Sequence, residues 1–189
     1  MRAMVTIAHP WPRSFNFAVL GRVVEALQTA GHETDVLDLY RDGFDPTLSE
    51  AELAGYAQGR ILDPKVLDYQ ERIRRAEHVI YIFPIWWEGM PALLKGFFDK
   101  VFTPGFAFTE EDFSPLLTHI QSGTVITTMG APKAQYTDIE KAFLQGTLGV
   151  CGVQRTHWLN FTDIPNSSQQ QRRTWMDEVA GYVRALGDV

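Results

Sequence analysis

The chain has 189 residues, 45% hydrophobic and 21% charged, with a formal net charge of −6 and one cysteine. That balance fits one globular domain, 1–189, and not a disordered chain. The acidic surplus argues against nucleic acid or an anionic membrane surface as partner. The one thiol, Cys151, allows no intrachain disulfide and no cysteine-built metal site, and no metal is expected.

The start, MRAMVTIAHP, is too short in apolar residues for a signal peptide, and no run of about 18 apolar residues follows. A cytoplasmic protein without membrane insertion is the expectation. Residues 3–8, AMVTIA, read as a first strand, and HPWPRSFN after it is rich in turn formers. Phe17, Leu20, Val23, Val24 and Leu27 then recur at helical spacing until Gly31. HETDVLDLY carries a short second strand around Val36 and Leu37. Residues 41–64 have no strong period. They form an excursion with one short helix near Ser49, where SEAE suits a capping box.

A helix over about 65–75 leads to HVIYIFP, a third strand ended by Pro84. PALLKGFFDKVF is a helix with Pro91 in its first turn, where the missing N–H does no harm. Residues 103–122 look irregular. SGTVITTMG is a fourth strand, residues 138–149 a helix, RTHWLNF a fifth strand, and about 168–186 a last helix. Alternation of this kind predicts an α/β protein, a doubly wound parallel sheet of five strands between two helical layers.

In such sheets ligands bind beyond the carboxyl ends of the strands, where the strand order switches. That rule selects the loops after strands one, three and four. The first lacks both G-x-G-x-x-G and a P-loop, yet it opens a helix with Ser14, Phe15 and Asn16, close to His9. Free N–H groups and the helix dipole suit an anion there, and plain N-capping by Ser14 is the alternative. The second, Pro84-Ile85-Trp86-Trp87-Glu88-Gly89, offers either core packing, a dimer contact, or a wall for a flat aromatic ligand. The third ends in Thr127, Thr128, Met129 and Gly130, where a glycine allows close approach to the backbone, with Tyr136 beyond. An anion cradle, an aromatic wall and a glycine-opened edge together describe a site for a phosphate-bearing flavin. No H-E-x-x-H, G-x-S-x-G or carboxylate dyad appears, which fits chemistry supplied by a cofactor.

The stretches AHPWPRSFNFAV, LDLYRDGFDPTLS, FPIWWEGMPALLKGFFDKVFTPGFAF and TTMGAPKAQY resemble, in order and over nearly the whole chain, the flavodoxin-like NAD(P)H:quinone oxidoreductase family. The resemblance implies a flavodoxin-like fold, a homodimer, and two flavin sites near its interface. It implies His9, Ser14, Phe15 and Asn16 around the flavin phosphate. Pro84, Ile85, Trp86 and Trp87 would lie along the isoalloxazine ring, and Thr127, Thr128, Gly130 and Tyr136 at its pyrimidine side. The implied reaction is ping-pong hydride transfer from NAD(P)H through flavin to a quinone or similar flat acceptor, with Tyr136 as the catalytic hydroxyl. Mammalian-type members carry a histidine shortly after that tyrosine; here TDIEKAF has none, so Tyr136 acts alone or with water. They also carry a C-terminal extension, so FMN is expected, with FAD the alternative. Lys133 and Arg155 are the candidate contacts for a 2′-phosphate. The resemblance also admits azo- or nitroreduction on the same flavin, or an ancillary subunit of a potassium efflux system. A flavodoxin-type electron carrier is a further reading, against which the WWEGMPALLKGFFDK stretch argues.

Overall fold

The strands with continuous apolar runs sit inside the sheet. The computed structural model of the protein describes residues 1–132, 138–153 and 155–186. β1 (Arg2–Ile7), β3 (His78–Pro84) and β4 (Ser122–Thr128) are buried almost throughout, whereas β2 (Glu33–Asp38) and β5 (Arg155–Phe161) mix buried and open positions and form the two edges. The order is β2-β1-β3-β4-β5, and every pairing is parallel. Parallel strands buried on both faces need apolar side chains on both, which is why HVIYIFP shows no alternation.

α1 (Phe15–Thr29) and α5 (Gln169–Arg184) cover one face. Val19, Val23 and Leu27 of α1 meet Val5, Ile7, Ile80 and Ile82 there, with Val179 and Val183 of α5. The other face is covered by α3 (Pro64–Arg74), α4 (Ala92–Val101) and a helix at Ile139–Gly149. Its core is aromatic: Tyr81, Phe83, Phe97, Phe98 and Phe143 pack edge to face or tilted, with centroids 4.9–5.8 Å apart. The Ile139–Gly149 helix is of the wide π type, a form seen mostly as single turns and often at functional sites. Pro91 does not occupy the first turn of α4. It stands one residue ahead as the N-cap, extended at φ −55, ψ 146, because the chain must leave a tight turn at Gly89 before it can coil.

The excursion between β2 and α3 is anchored on α4. α2 (Glu50–Ala54) begins with the capping box read from SEAE: Ser49 Oγ accepts from Glu52 N, and the Glu52 carboxylate accepts from Ser49 N. A Cβ at Gly96 would lie 2.3 Å from Pro46 Cβ, so only glycine lets the excursion approach the helix. One turn on, Lys100 is 5% exposed. Its ammonium meets Glu52 (3.0 Å) and Asp63 (3.5 Å) and donates to the Asp45 carbonyl (3.1 Å). A buried cation persists only with partners of this kind.

Candidate functional site

The chain leaves β1 for β2 on one side and returns to β3 on the other, so the loops after β1 and β3 diverge and open a crevice. The crevice is a cleft of about 280 Å³, bounded by His9, Ser14, Asn16, Pro84, Trp86 and Thr128 among others.

Ser14 caps α1, its Oγ accepting from Phe17 N at 3.4 Å. The first ladder bonds are Phe17 N and Ala18 N to Ser14 O, at 3.2 and 3.3 Å. The N–H groups of Phe15 and Asn16 therefore precede the ladder, and no acidic residue lies in the first turn to offset the positive helix end. Capping and anion binding, alternatives in the sequence, are compatible here. His9 Nδ1 accepts from Trp11 N at 3.0 Å, which places the neutral ring's proton on Nε2. Burial pushes the His9 pKa below its ordinary value and favours that neutral donor form.

Asn16 is 3% exposed. Its Nδ2 donates to Thr128 Oγ1 at 2.8 Å, while Oδ1, also buried, has no partner among the described residues. An orphaned buried acceptor costs about 1–3 kcal/mol. In a cleft wall it suits a hydroxyl-bearing ligand, as a ribityl chain would be. Gly130 leaves its side of the cleft open: among the described residues a Cβ there would meet only Pro165 Cγ, at 4.0 Å. The residues present thus fit a flavin.

Trp86 and Trp87 part company. Trp86 N donates to Gly89 O (3.0 Å) and Gly89 N to Trp86 O (3.1 Å), closing a two-residue turn. Trp87 and Glu88 both have positive φ, 49° and 64°, the arrangement that hairpins normally fill with Asn-Gly. Holding two side-chain-bearing residues there costs of order 1–3 kcal/mol each. The turn leaves Trp86 on the cleft wall, its ring 6.1 Å from that of His9. Trp87 is 100% exposed and outside the cleft. Thr127 and Thr128 also diverge, as strand neighbours must. Thr128 faces the cleft, but the Thr127 hydroxyl donates to Asn160 Oδ1 (2.9 Å) and accepts from Trp158 Nε1 (2.8 Å) on the other face. Pro84, Ile85 and Phe15 border the cleft. Tyr136 and Lys133 lie outside the described residues. Arg155 is corrected as a 2′-phosphate contact: it opens β5, at the end of the sheet opposite the cleft.

The sequence reading missed a further wall, Ile164, Pro165 and Arg172. Arg172 donates from Nη2 to Ile164 O and from Nε to Ser167 Oγ, both at 2.8 Å, and its guanidinium lies 5.9 Å from the Phe15 ring centre. Asp163 N and Ile164 N bond Ala131 O and Met129 O, tying this loop to the end of β4. The signal was DIPNSS, a turn-rich run after the fifth strand, to which the same carboxyl-end rule applies.

Beside the cleft, sharing the Trp86–Gly89 turn, runs an apolar groove of about 580 Å³. Phe98, Phe102, Phe108, Phe143 and Val150 line it, with Cys151, whose thiol burial pushes up to about 11.

A doubly wound parallel sheet in this order, with its crevice at the β1/β3 switch point, is the architecture of flavodoxin-like proteins. A family model described as "Flavodoxin-like fold" matches residues 1–185. Ribosyldihydronicotinamide dehydrogenase (quinone) of Rattus norvegicus is 32% identical over 214 residues, covering 100% of this chain and 91% of its own. NAD(P)H dehydrogenase (quinone) 1 of Cavia porcellus is 38% identical over 125 residues, 57% of this chain; the match spans only 45% of that protein's length. The solved structure of an NAD(P)H:quinone oxidoreductase from Methanothermobacter marburgensis superposes with a TM-score of 0.85 at 30% identity, covering 98% and 96% of the two chains. The chain belongs to the flavodoxin-like NAD(P)H:quinone oxidoreductase family. Among its described residues no helix is long and apolar enough to cross a membrane.

Proposed function

We propose that the protein is a flavin-dependent NAD(P)H:quinone oxidoreductase. The observation that carries this reading is the cleft at the switch point, where unladdered N–H groups, an orphaned Asn16 acceptor and the Trp86 indole converge. A bound flavin would supply two-electron redox chemistry between NAD(P)H and a quinone. The chain's own residues bind and orient. The N–H groups of Phe15 and Asn16 and the Ser14 hydroxyl would hold the phosphate, with His9 Nε2–H as a further donor. Asn16 Oδ1 would accept from the ribityl chain, and Trp86 and Pro84 would flank the ring. The backbone around Gly130 would be open to the ring's polar edge. Tyr136 donates the proton that the reduced acceptor needs.

We take the cofactor to be FMN, because the cleft is a single compartment with one anion cradle; FAD is the alternative. The active form is proposed to be a homodimer. The apolar groove beside the cleft, continued by the fully exposed Trp87 on their shared turn, supports this as a contiguous apolar surface suited to a partner copy. Steady-state rates measured with NADH or NADPH against a soluble quinone test the reading. Parallel double-reciprocal lines are expected. Turnover confined to azo or nitro acceptors would redirect it to a reductase of those substrates, and turnover only with a transporter partner to an ancillary subunit.

A further inference from the structure

The face of the sheet under α1 and α5 changes character along its length. Toward the cleft it carries Ile80, Ile82, Ile126, Leu159 and Phe161. At the opposite end the same alternate positions hold His78, Ser122, Thr124, Arg155 and His157. Of this row His78 and Thr124 are buried, Ser122 is half-buried, and Arg155 and His157 are exposed. The last turn of α5 reaches this end through Tyr182, and a cleft of about 240 Å³ opens beside it.

The polar groups of this end are organised. His78 is fully buried, with Nδ1 2.6 Å from Ser122 Oγ and Nε2 2.9 Å from Thr124 Oγ1. Thr124 Oγ1 continues to the Tyr182 hydroxyl at 3.1 Å, and the Tyr182 ring stacks on His157 at 4.4 Å and 18°. Arg155 Nε donates to Gln121 O at 3.1 Å, which holds the guanidinium at the rim. Ala185 and Leu186 supply an apolar side.

We propose that this cleft is a second binding site, for a small planar aromatic monoanion of the benzoate class. Its ring lies along the Tyr182–His157 stack and against Leu186, and its carboxylate pairs with Arg155 and the Ser122 hydroxyl. The volume, about 240 Å³, accommodates an aromatic ring. Burial pushes the His78 pKa down to about 4, so the floor is uncharged at neutral pH, and Arg155 offers a cation at the rim to a carboxylate. The site lies about six residues along β5 from Phe161, roughly 20 Å from the flavin cleft. It stands whether or not a flavin is bound there.

The test is titration of the purified protein with benzoate, followed by amide and histidine ring resonances. Saturable shifts are expected at Thr156, His157 and Ser122, with a Kd of about 1 mM or tighter. Arg155→Gln, a change at an exposed position, should weaken binding about tenfold or more, and Ser122→Ala by a smaller factor. Absence of saturable binding, shifts confined to Asn16, Trp86 and Gly130, or equal affinity in Arg155→Gln would each overturn the proposal.

Discussion

Acidification should weaken this fold before its carboxylates titrate, and His78 is the reason. The ring is fully buried between two hydroxyls, and burial, aided by the nearby charges of His32 and Arg155, pushes its pKa from 6.5 down to about 4. The neutral ring is the native form. Below pH 6.5 the unfolded chain binds a proton that the folded chain refuses, so stability falls as pH falls, until the folded pKa near 4 is reached. The full shift corresponds to about 3 kcal/mol, of which roughly 2 kcal/mol is lost by pH 5. Asp45, Glu52 and Asp112 have lowered pKa values and contribute losses only further down. His9, also lowered, acts in the same direction as His78. Urea unfolding of the wild type and of His78→Gln, each at pH 7 and pH 5, isolates the effect. Gln keeps hydrogen-bonding groups near Ser122 and Thr124 without a titrating ring. The variant should be less stable at pH 7 but lose about 2 kcal/mol less on going to pH 5. Equal pH slopes in the two proteins would refute the assignment.

Asn16→Ala removes both the bond to Thr128 and the orphaned acceptor; flavin affinity, read by fluorescence on titration, should fall about tenfold. Lys100→Ala strands two carboxylates over α4 and should cost about 3 kcal/mol in denaturant unfolding, with the loss of amide protection concentrated in residues 44–63. Tyr136→Phe should lower kcat with flavin content intact; unchanged kinetics would remove that hydroxyl from the reaction.

The sheet was legible because its signals are local. Continuous apolar runs mark β1, β3 and β4, and strand-helix alternation implies parallel pairing. The capping box at Ser49 was equally plain, since all its atoms lie within four residues. What could not be read depends on side-chain direction and on the order of the strands. Trp86 and Trp87 look equivalent as neighbours, and only the two positive φ angles after Trp86 send one to the cleft and the other to solvent. Thr127 and Thr128 likewise look alike, until the pleat assigns one to Asn160 and the other to Asn16. Arg155 was selected by charge alone, and its position at the amino end of β5 takes it away from the cleft. Arg172 was missed because its role depends on α5 crossing back beside the mouth of α1, a contact 157 residues distant in the chain from Phe15.

The most direct test of the account is the visible spectrum of the purified protein, followed by heat release and chromatography of any chromophore. Flavin bands that bleach with NAD(P)H and return with a quinone are predicted, with FMN as the released species. A protein that stays colourless after incubation with FMN and with FAD would contradict the site at the switch point, whatever the fold.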